Sequence, residues 1–235
     1  MPQALHVMST LAVEVAFKRA ILPSWSARQG PVNLDWAPTT VLLDNILKGA
    51  RADVVILIDD PMARLAADGI VDQESITPIA QAKFGLAVKE GAPKPDISDA
   101  EKFVAAIKAA RSVAYSLTGA SGLYFAKLIE QLGIEEQVLP RATRIPKGFT
   151  AEKLLTGEAD LAVQQVSELM AVDGVDIVGP FPEPLQQPTN FSVAIFKEAS
   201  DRGLANAFLD HLTSKEAHEA YNTFGLASRI ATFKI

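Results

Sequence analysis

The sequence predicts an α/β fold in which mostly parallel sheets are flanked by helices. Residues 52–58 form an almost uninterrupted apolar run, ADVVILI, which is typical of a parallel strand covered on both faces. Strands of this kind alternate along the chain with segments whose apolar residues recur at helical spacing. Such an alternating order predicts a doubly wound sheet.

The first third of the chain predicts three strand–helix pairs. Strands are expected at residues 5–8, 32–37 and 52–58. Helices are expected at residues 11–22, from about 40 to 48, and at 61–67. Pro23, Gly49 and Gly69 stand where these helices should end. Asp59 and Asp60 follow the third strand and are expected to cap the short helix after it.

The rest of the chain continues the alternation. Strands are expected at residues 83–89, 112–115, 143–145, 159–164, 175–178 and 190–196. Helices are expected at residues 100–110, about 121–132, about 150–156, 166–170, 201–212 and 214–223. Ser98 is expected to cap the first of these helices. The four prolines of residues 179–188 indicate an extended linker.

Residues 112–134, SVAYSLTGASGLYFAKLIEQLGI, combine a short strand, a turn of small residues and an amphipathic helix. The turn leaves unpaired backbone N–H groups at the N-terminus of the helix, where the helix dipole favours negative charge. Ser116, Thr118 and Ser121 add hydroxyl donors there, beside Gly122. The turn is therefore either an anion-binding site or an ordinary cap in which Thr118 or Ser121 serves only its own helix.

Hydroxyl side chains also stand at two other junctions between a predicted strand and the next helix. Ser9 and Thr10 follow the first strand, and Thr39 and Thr40 follow the second. In a parallel sheet these junctions lie at the carboxyl ends of the strands, where ligands bind. Helix capping explains each group alone, but the three groups together favour one anion-binding crevice.

Other polar residues are predicted to bind the same ligand: Arg144, Gln164, Gln165 and Asn190. A guanidinium binds a carboxylate through two parallel hydrogen bonds, and the alternative for Arg144 is a solvated loop charge. One of the adjacent glutamines is expected to face the ligand and the other to pack away, because side chains alternate along a strand. Asn190 either lines a strand beside the ligand or simply begins that strand.

The sequence offers three candidates for proton transfer and otherwise leaves the catalytic residues unknown. Glu168 follows a strand end, either as a general base or as a residue on a helix surface. Tyr115 borders the turn and can donate a hydroxyl proton. Lys147 supplies a point charge to the ligand or is a solvated loop charge.

Composition excludes several other kinds of site. The net charge of −6 argues against a nucleic-acid groove, which needs a concentrated basic face. The chain has no cysteine, which excludes thiol catalysis, disulfides and cysteine-based metal sites. Of its three histidines, only His211 and His218 have a partner at zinc-like spacing, and their expected position on one solvated helix face argues against a metal site. No cofactor is expected, because the dinucleotide fingerprint and the Walker loop are absent from the sequence. No apolar run has the length of a membrane span, so no membrane insertion is expected.

Four segments resemble one known family: KGARADVVILIDDPMARLAADGIV, TGASGLYFAKLIEQLGI, GEADLAVQQVSEL and FLDHLTSKEAHEAYNTFGL. They are similar to the type II periplasmic solute-binding proteins of the molybdate-binding class, in a divergent substrate-binding-like branch that includes aconitate isomerase. The resemblance covers essentially the whole chain. It implies two lobes, residues 1–80 plus 190–235 and residues 84–185, joined by two crossing strands. The hinges would lie near residues 81–88 and 185–192, and the ligand would be clamped between the lobes by hinge closure.

This resemblance implies two alternative functions. The first is a binding protein for a small anion, an organic carboxylate or an oxyanion, with a transporter permease as partner if the protein is exported. The alternative is a cofactor-free isomerase of a di- or tricarboxylate, which abstracts a proton next to a carboxylate and returns it elsewhere. Residues 1–10 carry neither the basic nor the apolar region of a secretory signal. The sequence as it stands therefore predicts a cytoplasmic protein, or a periplasmic one whose signal was trimmed.

Overall fold

A computed structural model describes residues 4–231, except for the side chain of Arg28. The chain divides into two compact units. Unit 1 comprises Met1–Gln81 and Thr189–Ile235, and unit 2 comprises Ala82–Pro188. The lobe predicted at residues 1–80 and 190–235 includes residues 1–3 and 232–235, which lie outside the described residues.

The strands and helices follow one another along the whole chain. The strands are β1 Leu5–Ser9, β2 Val32–Trp36, β3 Val54–Ile58, β4 Thr77–Ala82, β5 Phe84–Lys89, β6 Val113–Ser116, β7 Thr143–Ile145, β8 Leu161–Gln165, β9 Val175–Pro180, β10 Thr189–Ile195 and β11 Leu226–Ser228. The helices are α1 Glu14–Ala16, α2 Leu22–Gln29, α3 Thr39–Leu47, α4 Asp59–Ala67, α5 Ala100–Ala109, α6 Ala120–Gln131, α7 Glu135–Val138, α8 Glu152–Leu155, α9 Val166–Leu169, α10 Arg202–Leu212 and α11 Lys215–Thr223.

The sheet of unit 1 has the strand order β11-β4-β10-β3-β1-β2. Strands β2, β1 and β3 run parallel, and Ser9 at the end of β1 lies opposite both Trp36 and Ile56. Strand β10 is antiparallel to β3 and places Phe191 opposite Ile58. The first four residues of β3 are fully buried, as the apolar run predicts. The parallel part therefore has one carboxyl edge, at which β1, β2 and β3 all end.

The sheet of unit 2 has the strand order β7-β6-β8-β5-β9. Strands β7, β6 and β8 run parallel, whereas β5 is antiparallel to both β8 and β9. Buried aromatic side chains join the sheet to α5 and α6, among them Phe84, Phe103 and Phe125. The carboxyl ends of β6, β7 and β8 form the edge that positions the predicted site residues of this unit.

The predicted α/β fold with two sheets is confirmed, and each sheet is mixed rather than parallel throughout. The antiparallel strands are the part that the strand–helix alternation does not predict. Strand β5 begins two residues after β4 ends, and β10 follows a short 3₁₀ turn, Glu183–Leu185. A strand that enters a sheet without a crossover helix is not constrained to run parallel.

The first helical segment does not end at Pro23, contrary to the prediction. The chain stays helical to Gln29, and Phe17–Ile21 form a π-helical turn before Pro23. The backbone N–H of Leu22 donates to the carbonyl of Phe17, five residues earlier. A wider turn displaces the carbonyl with which the proline ring would otherwise clash, so that Pro23 fits near the start of α2.

Two predicted helix caps are also wrong. Asp59 and Asp60 form the first turn of α4 without capping it through a side chain. The carboxylate of Asp59 instead accepts hydrogen bonds from Ser192 and Arg229. Helix α5 is capped by Asp99, whose carboxylate accepts from the N–H of Lys102, rather than by Ser98.

The predicted linker is shorter than expected, and two strands were missed. Strand β9 extends to Pro180, and a 3₁₀ turn at Glu183–Leu185 occupies the middle of residues 179–188. Strand β4 was not predicted because it contains Pro78, which argues against a strand, and β11 was missed because it has only three residues.

Candidate functional site

The predicted hydroxyl residues of unit 1 lie at the carboxyl edge of its parallel strands. Ser9 and Thr10 are buried at the end of β1. The N–H of Ala37 donates to the carbonyl of Ser9 at 3.2 Å, which ties the segment after β2 to the end of β1. Thr10 does not cap the following 3₁₀ turn through its side chain. Helix capping therefore does not account for this hydroxyl.

Thr39 is the first residue of α3 and is only 6% exposed. Its hydroxyl has no hydrogen-bond partner among residues 4–231. Val41 and Leu42 both donate their N–H groups to the carbonyl of Pro38, so the earlier amides of the helix lack an acceptor within it. Thr40 is exposed. A buried, unpaired hydroxyl at a helix N-terminus is thus present at the carboxyl edge of unit 1.

In unit 2 the predicted turn is built by its own hydroxyl groups. The Oγ of Ser116 accepts from the N–H groups of Thr118 at 3.3 Å and Gly119 at 3.0 Å. The Oγ1 of Thr118 donates to the carbonyl of Pro146 at 2.7 Å. These two side chains fix the shape of the turn, while Ser121 is buried in the first turn of α6.

Gly122 brings the N-terminus of α6 onto the end of β6. A Cβ at this position would lie 1.8 Å from the backbone oxygen of Ser116, a distance that no side chain tolerates. Only glycine therefore allows the helix to start directly over the strand end. This close approach aims the first amides of α6 at the carboxyl edge of unit 2.

Tyr115 and Arg144 are register partners in the parallel strands β6 and β7. Tyr115 is buried and packs against Phe125, with ring centroids 5.5 Å apart. Burial raises the pKa of the Tyr115 hydroxyl, and the positive charge of Arg144 opposes this shift by a smaller amount. Tyr115 is therefore protonated at neutral pH, and it can donate a hydrogen bond but cannot act as a base. Arg144 is exposed.

The two glutamines predicted to bind ligand are both buried. The Oε1 of Gln164 accepts from the N–H of Thr150 at 2.8 Å and from its hydroxyl at 3.0 Å. The Nε2 of Gln164 donates to the carbonyl of Gly148 at 3.1 Å, so this amide already holds the loop before α8. The N–H of Gln165 donates to Glu168 at 3.2 Å.

Glu168 is buried, which differs from the exposed helix position that was its alternative interpretation. Nearby, Ser167 has a buried hydroxyl without a hydrogen-bond partner in the described part of the chain. Lys147 is exposed in the loop after β7. Asn190 lies in unit 1, where its side-chain oxygen accepts from the Nε2 of Gln81 at 2.8 Å.

The predicted residues therefore fall into two groups. Ser9, Thr10, Thr39 and Thr40 share the carboxyl edge of unit 1. Asn190 belongs to the same group, because it precedes Phe191, the register partner of Ile58 at the end of β3. The carboxyl edge of unit 2 carries the following residues: Tyr115, Ser116, Thr118, Ser121, Gly122, Arg144, Lys147, Gln164, Gln165 and Glu168. Which of them contact a ligand stays a prediction.

Sequence reasoning missed two features of these edges. Ser167 stands directly after the Gln164–Gln165 pair, so a search for polar residues past the strand end would have included it. The second feature is an ion pair between Asp59 and Arg229 in unit 1. The sequence carries no signal for this pair, because 170 residues separate its partners.

Comparison with known proteins identifies the family. The sequence profile of a family described as "Bacterial extracellular solute-binding protein" matches residues 5–227. This chain belongs to that family.

Relatives of this chain include an isomerase and a molybdate-binding protein. The chain is 34% identical to an aconitate isomerase from a Pseudomonas species over 216 residues, which cover 88% of this chain and 82% of the relative. It is 25% identical to the molybdate-binding protein ModA of Escherichia coli (strain K12) over 199 residues, 81% of this chain and 76% of that one.

A solved structure supports the same fold. The periplasmic molybdate-binding protein of Azotobacter vinelandii superimposes with a TM-score of 0.78 over 95% of this chain and 98% of that chain, at 17% identity. The resemblance to type II solute-binding proteins that the sequence suggested is thus confirmed. Among the described residues of this solute-binding protein, no helix has the length and apolar character needed to cross a membrane.

Proposed function

We propose that this protein binds a small anion, an organic carboxylate or an oxyanion, through the carboxyl edges of its sheets. The observation that carries the proposal is the hydroxyl of Thr39, which is buried at the start of a nine-residue helix and has no partner within residues 4–231. A buried polar group without a partner costs about 1–3 kcal/mol, a penalty that a bound acceptor removes. Free amides and the positive end of the helix dipole favour an acceptor that is negatively charged.

The second edge offers complementary groups. In unit 2 the first amides of α6 stand beside the buried Ser121, and Arg144 adds an exposed positive charge. Hydroxyl, amide and guanidinium groups together replace the water around a carboxylate or an oxyanion. The relatives support both ligand classes, because one is named for molybdate and another for aconitate, a carboxylate.

Family membership also supports a role in uptake. The family description places its members outside the cell, and the Azotobacter relative is periplasmic. We propose that this chain likewise works outside the cytoplasm and delivers its ligand to a membrane permease. Binding of the permease would be tested by co-purification with the transporter encoded nearest to this chain, with and without the ligand.

Calorimetric titration with molybdate, tungstate, sulfate, phosphate, citrate and the two aconitate isomers tests anion binding. In an unfolding experiment, a ligand present at 100 times its dissociation constant should raise the free energy of unfolding by about 2.7 kcal/mol. Thr39→Val keeps the shape of the side chain and should weaken binding about tenfold. Thr223→Val removes an exposed hydroxyl on α11 and should leave affinity unchanged. Absence of binding by every anion would overturn the proposal.

A second function, isomerisation of a di- or tricarboxylate, is favoured by the relative at 34% identity, an aconitate isomerase that covers 88% of this chain. In this reaction a base takes a proton from a carbon next to a carboxylate, the double bond shifts, and the proton returns to another carbon. The reaction consumes no oxidant or reductant. Glu168 is the candidate base at the edge of unit 2, and the protonated Tyr115 is a candidate donor to the developing negative charge.

Proton NMR of cis-aconitate in deuterium oxide distinguishes the two functions. An isomerase should produce trans-aconitate that carries deuterium, because the abstracted proton exchanges with solvent. Glu168→Gln should then abolish turnover while retaining binding. Binding of aconitate without any isomerisation by the unmodified protein would exclude the enzyme and leave the binding function in place.

A further inference from the structure

Arg229 and Asp59 form an ion pair that helix capping and core packing do not explain. The Nη1 of Arg229 lies 2.9 Å from one carboxylate oxygen of Asp59 and 3.1 Å from the other. The same nitrogen donates to the carbonyl of Phe191 at 3.3 Å. The hydroxyl of Ser192 donates to Asp59 at 2.7 Å. The backbone N–H of Arg229 donates to Ile79 at 3.0 Å, which fixes the start of this side chain.

The ion pair lies at the same edge of unit 1 as the hydroxyl of Thr39. Asp59 is the first residue after β3, and Phe191 is the register partner of Ile58, the last residue of that strand. Because β1, β2 and β3 are parallel, their carboxyl ends share one edge. Arg229 thus brings a positive charge to the edge where Thr39 begins α3.

The guanidinium of Arg229 keeps donors available. A guanidinium has five N–H donors, and every hydrogen bond of this group to residues 4–231 uses Nη1. Nε and Nη2 together carry three further N–H donors. The side chains of Arg229 and Asp59 are 26% and 33% exposed, so a small molecule can reach them.

The pairing also restricts which anion would bind there. Asp59 offsets the charge of Arg229, so that a point-like anion gains little net Coulomb attraction. A planar carboxylate still gains two parallel hydrogen bonds from the fork of the guanidinium. Asp59 and Ser192 hold that fork in one orientation, which lowers the entropy lost on binding.

We propose that Arg229 binds a carboxylate group of the ligand through Nε and Nη2, with Asp59 and Ser192 as positioning residues. The inference rests on the proposed anion-binding function and narrows its ligand to an organic carboxylate. The carboxylate of Asp59 beside Arg229 repels a dianion such as molybdate or sulfate more strongly than it repels a singly charged carboxylate group.

The test compares affinities for citrate, cis-aconitate, molybdate and sulfate in calorimetric titrations. Arg229→Gln should weaken carboxylate binding about tenfold to a hundredfold, the range of one charge-assisted hydrogen-bonded pair. Arg229→Lys keeps the charge and an ion pair with Asp59 but loses the fork, and it should still lose about tenfold. Asp59→Asn should lower the ratio of carboxylate to oxyanion affinity, which a purely structural role would leave unchanged.

Arg202 provides the matched control. It forms an ion pair with Asp72 in the same unit. The backbone N–H of Asp72 donates to the carbonyl of Ile195, which lies opposite Val54, the first residue of β3. The control pair is therefore at the amino end of β3, whereas Asp59 follows the carboxyl end. Arg202→Gln should leave every affinity unchanged. Equal carboxylate affinities of the Arg229→Lys, Arg202→Gln and unmodified proteins would overturn the inference, because the ion pair would then be structural.

The same titrations separate this inference from the proposed function. If the unmodified protein binds molybdate or sulfate but no carboxylate, the inference is wrong while anion binding stands. If it binds none of the anions, both fail. If Arg229→Gln does not fold, Arg229→Lys and Asp59→Asn still decide the outcome.

Discussion

At the scale of single residues, Gly122 has the least room for a side chain among the glycines that the structure describes. Gly122→Ala would place a Cβ 1.8 Å from the backbone oxygen of Ser116 and force α6 away from β6. We expect the free energy of unfolding to fall by about 3 kcal/mol, the upper range for overpacking. Urea denaturation followed by circular dichroism measures this loss.

Gly203 provides a matched control for this substitution. It also lies in the first turn of a helix, α10, where an added Cβ would meet its nearest neighbour at 3.4 Å. Gly203→Ala should therefore be neutral or should stabilise the protein by about 0.5 kcal/mol through the unfolded state. Equal losses in the two variants would mean that the close approach at Gly122 does not limit stability.

The carboxyl group of Asp53 makes the free energy of unfolding decrease at acidic pH. Burial alone would raise the pKa of this carboxyl, but hydrogen bonds from the backbone N–H of His6 and from Ser200 outweigh burial and lower the pKa below 3.8. Because the pKa of Asp53 is lower in the folded protein than in the unfolded chain, its ionised carboxylate adds to the free energy of unfolding. This contribution is complete above the pKa of the unfolded chain, about 4, and is lost as the pH falls through the lower pKa of the folded protein.

Asp53→Asn should therefore lower the free energy of unfolding by about 2 kcal/mol at neutral pH. Its unfolding free energy should also fall less steeply than that of the unmodified protein as the pH drops below about 4. Chemical denaturation at several pH values measures both effects. Asp60→Asn changes an exposed carboxylate of α4 and should have almost no effect. Parallel pH profiles for Asp53→Asn and the unmodified protein would contradict the assignment.

At the scale of elements, the turn before α6 presents apolar side chains to solvent. Leu117 in the turn is 48% exposed and Leu123 in the first turns of α6 is 50% exposed. If the ligand is an organic carboxylate, its carbon skeleton has apolar surface to bury beside the amides of the turn. Leu117→Ser should then weaken carboxylate binding about fivefold, which corresponds to about 40 Å² of lost apolar contact.

Leu155 is the control for this prediction because it is 42% exposed and ends α8, away from the turn. Titration of citrate and sulfate into the Leu117→Ser and Leu155→Ser variants measures the contrast. Sulfate affinity should be the same in both variants, since this anion has no carbon surface. A citrate affinity that falls equally in both would mean that Leu117 contributes only to general stability.

The elements also show what the sequence could and could not predict. The turn of residues 116–122 was predictable because strand, small-residue turn and helix are adjacent in the chain. The role of Gln164 was not, because its amide holds a loop whose residue Thr150 lies 14 positions away. The ion pair of Asp59 with Arg229 depends on strand order, which local patterns do not encode. Pro23 misled the prediction because a π turn before it removes the clash that normally ends a helix.

At the scale of the whole molecule, net charge sets a requirement on the site. The chain carries a formal charge of −6, which repels anions at long range. Local amides, hydroxyls and guanidinium groups must therefore provide the attraction at contact distance. Salt screens the long-range repulsion within about 8–10 Å, so anion affinity should fall little as ionic strength rises.

Each unit is expected to contribute to anion binding through its own edge. Thr39 belongs to unit 1 and Arg144 to unit 2. Thr39→Val and Arg144→Ala should each weaken binding about tenfold, because each removes one hydrogen-bonding group. Calorimetric titration of both variants measures the two losses. An unchanged affinity in one variant would mean that the edge of that unit does not contribute to binding.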